Sequence, residues 1–183
     1  MTDSPAIEWA LSGNDWLYAA GKGCERQIDG AIKRRRPGYG SPEKRTNDGW
    51  FWNINGAAGE LCVAQWLGLS WDGAFGRLGD SDVGNLVEVR TTPGHENPLR
   101  LHDDDKDDRV YILVTGIGPR WAIRGFILGK RGKNPEWFHD RPAPANRPTG
   151  RPAYWVPQDQ LSVSFESLRA RVNWHLETGR KTA

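Results

Sequence analysis

The stretch Gly79-Asp80-Ser81-Asp82-Val83-Gly84-Asn85-Leu86-Val87-Glu88-Val89-Arg90-Thr91-Thr92 decides the fold. From Leu86 to Thr92 apolar and polar residues alternate with period two. A strand here turns Val87 and Val89 to one face and Glu88 and Arg90 to the other. The Gly- and Asp-rich residues before it predict a turn that holds Asp82 at the start of the strand. Clustered carboxylates repel, and burying them is costly unless a proton or a cation satisfies them. Hard oxygen ligands of this kind suit Mg²⁺ or Mn²⁺, which bind a few carboxylates and keep several waters. The same residues also fit a plainer arrangement, a Glu88–Arg90 ion pair on the solvent side of an edge strand.

Outward from that strand, Val110 to Thr115 is a continuous apolar run of the kind found in a central strand. Gly116-Ile117-Gly118-Pro119 turns it into Trp121 to Leu128, predicting an antiparallel hairpin. Upstream, a helix is expected to open at Asn55 and end at Gly68, with Leu61, Ala64 and Leu67 or Cys62, Trp66 and Leu69 as buried faces. Its small residues Gly56, Ala57 and Gly59 allow close approach to a sheet, which could bring Glu60 to the corner of Asp82 and Glu88. Taken alone, Glu60 is also a first-turn acid favoured by the helix dipole. Further upstream, Trp16, Leu17, Ala20, Cys24, Ile28 and Ile32 mark a helix over about 14–34, and residues 37–49 read as a polar loop. Ser4-Pro5 is a candidate helix start. Residues 129–153 are rich in Pro, Arg and Gly and predict irregular structure, followed by a strand at Tyr154-Trp155-Val156 and a helix over 158–177.

The 183 residues suit one domain with a core of its own. The total charge of +2 hides a division. Residues 61–108 carry 10 acidic against 4 basic residues, and residues 109–183 carry 13 basic against 5 acidic. No run of eighteen apolar residues occurs, and the opening MTDSPAIEWA lacks the pattern of a signal peptide, so neither a membrane span nor export is expected. Cys24 and Cys62 form no framework, so a reducing, cytoplasmic location is the default. No Walker loop, GxGxxG, GxSxG or zinc spacing of the four histidines is present, which leaves nucleotide hydrolysis, serine hydrolysis and a structural zinc unsupported.

The helix bearing Glu60, Ser81-Asp82, a five-residue gap and Glu88-Val89-Arg90 together resemble the PD-(D/E)XK nuclease superfamily, the restriction-endonuclease-like fold. The likeness covers about 40 residues, Gly56 to Thr92, with Val110–Thr115 fitting as a third core strand. The resemblance implies an α/β fold with a mixed central sheet flanked by helices, a restriction-endonuclease-like core with N-terminal helices. It implies one domain over 1–183: a helical part about 1–50, the core about 51–128, a basic Pro/Arg loop about 129–153, and a strand and helix about 154–177. It further implies a nuclease in which Asp82 and Glu88 bind Mg²⁺ or Mn²⁺ and Glu60 completes the site. The departure is Arg90, where the family usually has Lys. Arg supplies charge and a bidentate fork for phosphate, but with a pKa above about 12 it cannot act as a base. A catalytically inactive member that binds DNA or protein is the other reading. The chain is also similar to small phage and prophage proteins in which Glu-Val-Arg-Thr-Thr precedes an Asp-Asp-Arg-Val-Tyr strand start, here Asp107 to Tyr111.

For a DNA partner, the expected phosphate contacts are Arg34, Arg35 and Arg36, and Lys130, Arg131, Lys133, Arg141, Arg147 and Arg151, with Trp137 and Phe138 available to stack on bases. A homodimer is compatible with the chain, as is a host-protein partner for a non-catalytic member. His102 to Asp108 reads as a solvated acidic loop, with Lys106 a second candidate for the missing lysine. Trp9, Trp66, Trp121 and Trp155 are expected in the core, and Trp50, Phe51 and Trp52 beneath the Glu60 helix.

Overall fold

A computed structural model describes residues 6–32, 42–73, 81–84, 86–139 and 152–180, with backbone alone over 42–48 and 175–180. In chain order the elements are β1 (Ile7–Ala10), α1 (Gly13–Ile32), α2 (Pro42–Leu67), β2 (Val87–Thr92), β3 (Leu99–Leu101), β4 (Val110–Ile117), β5 (Arg120–Leu128), α3 (Gly129–Gly132), β6 (Phe138–His139), β7 (Ala153–Val156) and α4 (Phe165–Arg180). Single 3₁₀ turns cover Pro135–Trp137 and Gln158–Gln160. The fold is α/β with a mixed sheet. Its strand order is β1-β5-β4-β2, with β2 parallel to β4 and the other pairs antiparallel. β3, β7 and β6 form a second, antiparallel sheet.

Burial explains why β4 is a continuous apolar run. Both of its faces are covered, and only Ile117 at its end is exposed. Val110, Ile112 and Val114 join Val87, Val89 and the α2 residues Ala58, Leu61 and Cys62 in the larger cluster. Tyr111 and Leu113 join Leu99, Leu101 and Val156 of the small sheet in the second. The main sheet therefore has helices on one side and the small sheet on the other.

Two glycines set the helical layer. A Cβ on Gly23 would meet the Ile54 backbone, so α1 lies directly on α2. A Cβ on Gly59 would meet the Thr91 hydroxyl, so α2 lies directly on β2. The expected close approach of Gly59 to a sheet is thus observed.

Several expectations are corrected. The N-terminal part is not wholly helical, because Ile7–Ala10 pairs antiparallel with Ala122 and its neighbours on β5. The helix expected from Asn55 begins at Pro42, so the stretch read as a loop over 37–49 is helical from residue 42. Pro suits a first helical position, where its missing N–H has no partner to lose. Asn55 is consequently no cap. Its side chain accepts from Trp121 Nε1 at 3.1 Å and donates to the Gly116 carbonyl at 3.2 Å, tying α2 to the β4–β5 hairpin. Trp50, Phe51 and Trp52 are exposed on α2 rather than plugged beneath it. Trp66 and Trp121 are core residues as expected. Residues 129–139 are more ordered than their Pro, Arg and Gly content predicts, since α3, a 3₁₀ turn and β6 lie there. Gly68 ends α2 with φ +73°, as its lack of a Cβ permits. Among the described residues, no helix is long and apolar enough to cross a membrane.

Candidate active site at the edge of the main sheet

Val83 and Val87 exchange two backbone hydrogen bonds, at 3.0 and 3.1 Å, across a tight turn. The turn folds Asp82 back against β2, where its Oδ2 accepts the Val89 amide at 2.8 Å. Because β2 is an edge strand, this carboxylate satisfies an outward-facing backbone donor and blunts the edge.

Glu88 and Arg90 project from β2 opposite to Val87 and Val89, as the alternation requires. Their register partners on β4 are Tyr111 and Leu113, both in the second cluster. Arg90 Nη1 lies 3.7 Å from Glu88 Oε2 and 4.0 Å from Asp82 Oδ2. Its Nη2 donates to Asp105 Oδ1 at 2.8 Å, and its guanidinium stands 5.1 Å from the Tyr111 ring centroid. Asp105 is fixed in turn, its Oδ2 accepting the His102 amide at 2.9 Å. The loop that carries it is wound around Lys133, whose ammonium donates to the Asp103 carbonyl at 3.0 Å, to the Asp105 carbonyl and to Asp107 Oδ1 at 2.8 Å.

One guanidinium therefore stands among three carboxylates. Burial first, and then the charge of Asp82, pushes the Glu88 carboxyl up to about 7, while Arg90 and Arg109 pull it down. Burial works against the charge of Arg90, but Asp105, Asp82 and Glu88 outweigh it and raise its value. The Glu88 and Arg90 side chains keep only 18% and 28% of their exposure, so the pair is not on the solvent side of the strand.

Glu60 is elsewhere. α2 packs on the Val87–Val89 face, so Glu60 and Glu88 lie on opposite sides of the sheet. Both Glu60 oxygens are taken by Arg26 of α1, Nη1 to Oε1 and Nη2 to Oε2, each at 2.6 Å. Trp71 Nε1 adds a bond to Oε2 at 3.1 Å. Burial pushes the Glu60 carboxyl above its ordinary range, and the Arg26 fork opposes that push. Asp82, at the edge, raises both Glu60 and Glu88 through its charge, so it stands electrically between two clusters that do not merge.

Among the described residues, no three His, Cys, Asp or Glu side chains form a group placed to hold a metal ion. The fit for Mg²⁺ or Mn²⁺ rests on the pair Asp82 and Glu88. Their oxygens are hard donors, and burial first, then the charge of Asp82, raises Glu88, so an added proton or cation is favoured there. That chemistry suits a divalent ion.

Of the expected phosphate contacts, Lys130 and Arg131 are exposed on α3, whereas Lys133 is turned inward onto the acidic loop. Arg34, Arg35, Arg36, Arg141, Arg147 and Arg151 lie outside the described residues. Trp137 packs against the second cluster, and Phe138 is exposed. The loop from His102 to Asp108 is not simply solvated, since it supplies Asp105, and the lysine that organises it is Lys133. Nothing in the acidic run singles out Asp105. Arg26 did leave a signal, because it falls at helical spacing with Ala19 and Gly23 on the buried face of α1, where a cation requires an anion. Comparison of the chain with protein-family models, curated proteins and solved structures found no match to any of them.

Proposed function

We propose that the chain is a metal-dependent nuclease that hydrolyses phosphodiester bonds of DNA on a restriction-endonuclease-like core, with Arg90 in the place usual for Lys. The observation that carries this reading is the convergence of Asp82 and Glu88 on one cationic group at the sheet edge, with Glu88 pushed up to about 7. Asp82 and Glu88 would hold Mg²⁺ or Mn²⁺, which when bound supplies a Lewis acid for the phosphate and acidifies water. The Val89 amide fixes the direction of Asp82, so the carboxylate needs no reorganisation to act. Arg90 is held by Asp105 and by its face against Tyr111, and its remaining donors offer a preorganised positive charge to a phosphate oxygen. Arg90 stays protonated and takes no proton in the reaction. Glu60, closed by Arg26, braces the helix behind the strand rather than completing the ligand set.

The test is incubation with plasmid, linear, single-stranded and branched DNA, with Mg²⁺ or Mn²⁺. Cleavage is expected from the wild type, and D82A and E88A should abolish it while retaining the far-UV circular dichroism of the fold. A wild type as inert as both variants on all four DNAs with either ion overturns the reading.

A second reading has its own support. Arg90 Nη1 already stands between the two carboxylates, an internal cation where a metal would otherwise be needed. That favours a non-catalytic relative of the fold that binds DNA or, if phage-encoded, a host protein. Millimolar Mn²⁺ raises the melting temperature of an intact metal site, and D82N removes the rise. In the non-catalytic case neither protein responds.

A further inference from the structure

The connection between β3 and β4 places five aspartates and one lysine in residues 103–108. Like charges at that density repel, and such a run stays open unless a cation draws it together. The cation here is the Lys133 ammonium, which lies 26 to 30 residues further along the chain. An ammonium has three donors and no acceptor. Lys133 directs them to alternate residues of the loop: the Asp103 carbonyl at 3.0 Å, the Asp105 carbonyl, and Asp107 Oδ1 at 2.8 Å. Its side chain keeps only 17% of its exposure. Helix α3, just before it, is strapped to the same loop. The Gly129 amide donates to the Arg109 carbonyl and the Lys130 amide to the Asp107 carbonyl, each at 2.9 Å. A Cβ on Gly129 would meet the Lys106 carbonyl, so α3 lies directly on the loop.

What the closed loop delivers is Asp105. Lys133 holds its main chain, while its carboxylate accepts the His102 amide at 2.9 Å and Arg90 Nη2 at 2.8 Å. We propose that Lys133 is a positioning residue for Arg90: its ammonium fills a ring of three loop oxygens, as a bound cation would, and so sets the Asp105 carboxylate that fixes where the guanidinium stands. Without the ammonium, two carbonyls and a carboxylate face one another with no donor between them, and the loop has to open. Asp105 then leaves both His102 and Arg90. The role differs from the phosphate contact that charge alone suggests for Lys133, because its three donors are already taken inside the protein. The positioning is a matter of geometry, whereas its bearing on cleavage rests on the nuclease reading above.

The test is a double-mutant cycle of K133M and D105A in the full chain, read by NMR at the Arg90 side-chain N–H signals, which R90K assigns by their loss. K133M should move these signals in the direction that D105A moves them and speed hydrogen exchange of the His102 amide by about tenfold. In K133M/D105A the Arg90 signals should coincide with those of D105A, because the ammonium acts only through Asp105. Should K133M fail to fold, D107A reads the same coupling. It removes one of the three acceptors from a side chain that is 61% exposed, and should shift the Arg90 signals part of the way. In the cleavage assay, K133M should lower kcat roughly tenfold to a hundredfold and leave KM for DNA within about twofold. Arg90 signals that stay in place in K133M, or in D107A where that variant stands in, overturn the proposal. So does a K133M shift that persists undiminished in the D105A background, or a raised KM with kcat unchanged, the mark of a phosphate contact. A wild type that cleaves no DNA removes the nuclease reading, and the NMR cycle still decides the role of Lys133.

Discussion

A buried and a half-buried charge cluster flank the same strand and are built on opposite principles. On the helical side, one cation meets one anion, as Arg26 holds both oxygens of Glu60 at 2.6 Å. On the small-sheet side, the guanidinium of Arg90 is divided among three anions, with Arg109 also acting on Glu88. Arg90 holds Asp105 at 2.8 Å but stands 3.7 and 4.0 Å from Glu88 and Asp82. The first cluster is charge-balanced and geometrically closed. The second holds more anions than cations, and burial first, then the charge of Asp82, displaces its Glu88 toward neutrality. A closed pair holds elements together, while an unbalanced one has capacity left for a proton, a metal ion or a phosphate-bearing substrate. Function is therefore to be sought in the second, although Glu60 is the more deeply buried acid.

The largest expected effect breaks the closed pair. R26A leaves Glu60 buried without its counter-ion and is expected to destabilise the fold by about 3–5 kcal/mol, read from urea unfolding. R26M/E60L, which removes both charges, should recover most of that loss. A double variant as unstable as R26A would mean that Arg26 contributes through packing alone, and the contrast between balanced and unbalanced clusters would lose one side.

The next effect has the opposite sign. Glu88 titrates near 7 in the folded chain and near 4.5 when unfolded, so between those values the folded state holds the extra proton. Stability from this group is full below about 4.5 and is lost as the pH rises through 7. E88Q should thus stabilise the protein at pH 8 by about 1–3 kcal/mol and have no such effect at pH 4, measured by thermal unfolding across the range. A substitution that stabilises while abolishing cleavage is what a site held in tension predicts. If E88Q destabilises equally at both pH values, Glu88 is an ordinary paired carboxylate.

This contrast also decides how much was legible in the chain. The alternation at Leu86 to Thr92 placed Glu88 and Arg90 on one face because a strand's period depends only on its own backbone. The apolar run at Val110 and the Gly-Pro turn after it read correctly for the same local reason. Glu60 could not be placed that way. Its helix does pack closely on β2 through Gly59, but which side of the sheet it covers is a tertiary fact, and that side is opposite to Glu88. Asp105 was hidden in a run of like charges, where only the fold chooses the residue that meets Arg90. The start of α2 is not legible because the polar sequence over 42–49 carries no apolar periodicity, and β1 because four residues are too few to show one.

The smallest effect tests how Arg90 is shared. Asp105 draws the guanidinium away from Asp82 and Glu88 and adds its own negative charge, which raises Glu88. D105N removes that charge and leaves an amide in the same space, costing about 1 kcal/mol through the lost charge-assisted bond. The guanidinium is then free to favour Glu88, so the Glu88 midpoint should fall below 7, as read by carboxyl-carbon NMR titration. The rise in melting temperature with Mn²⁺ should shrink, because a cation pulled deeper between Asp82 and Glu88 competes with the metal. Should the Glu88 midpoint stay at about 7 in D105N, Arg90 is not divided among three carboxylates, and the excess charge attributed to this side of the strand has another source.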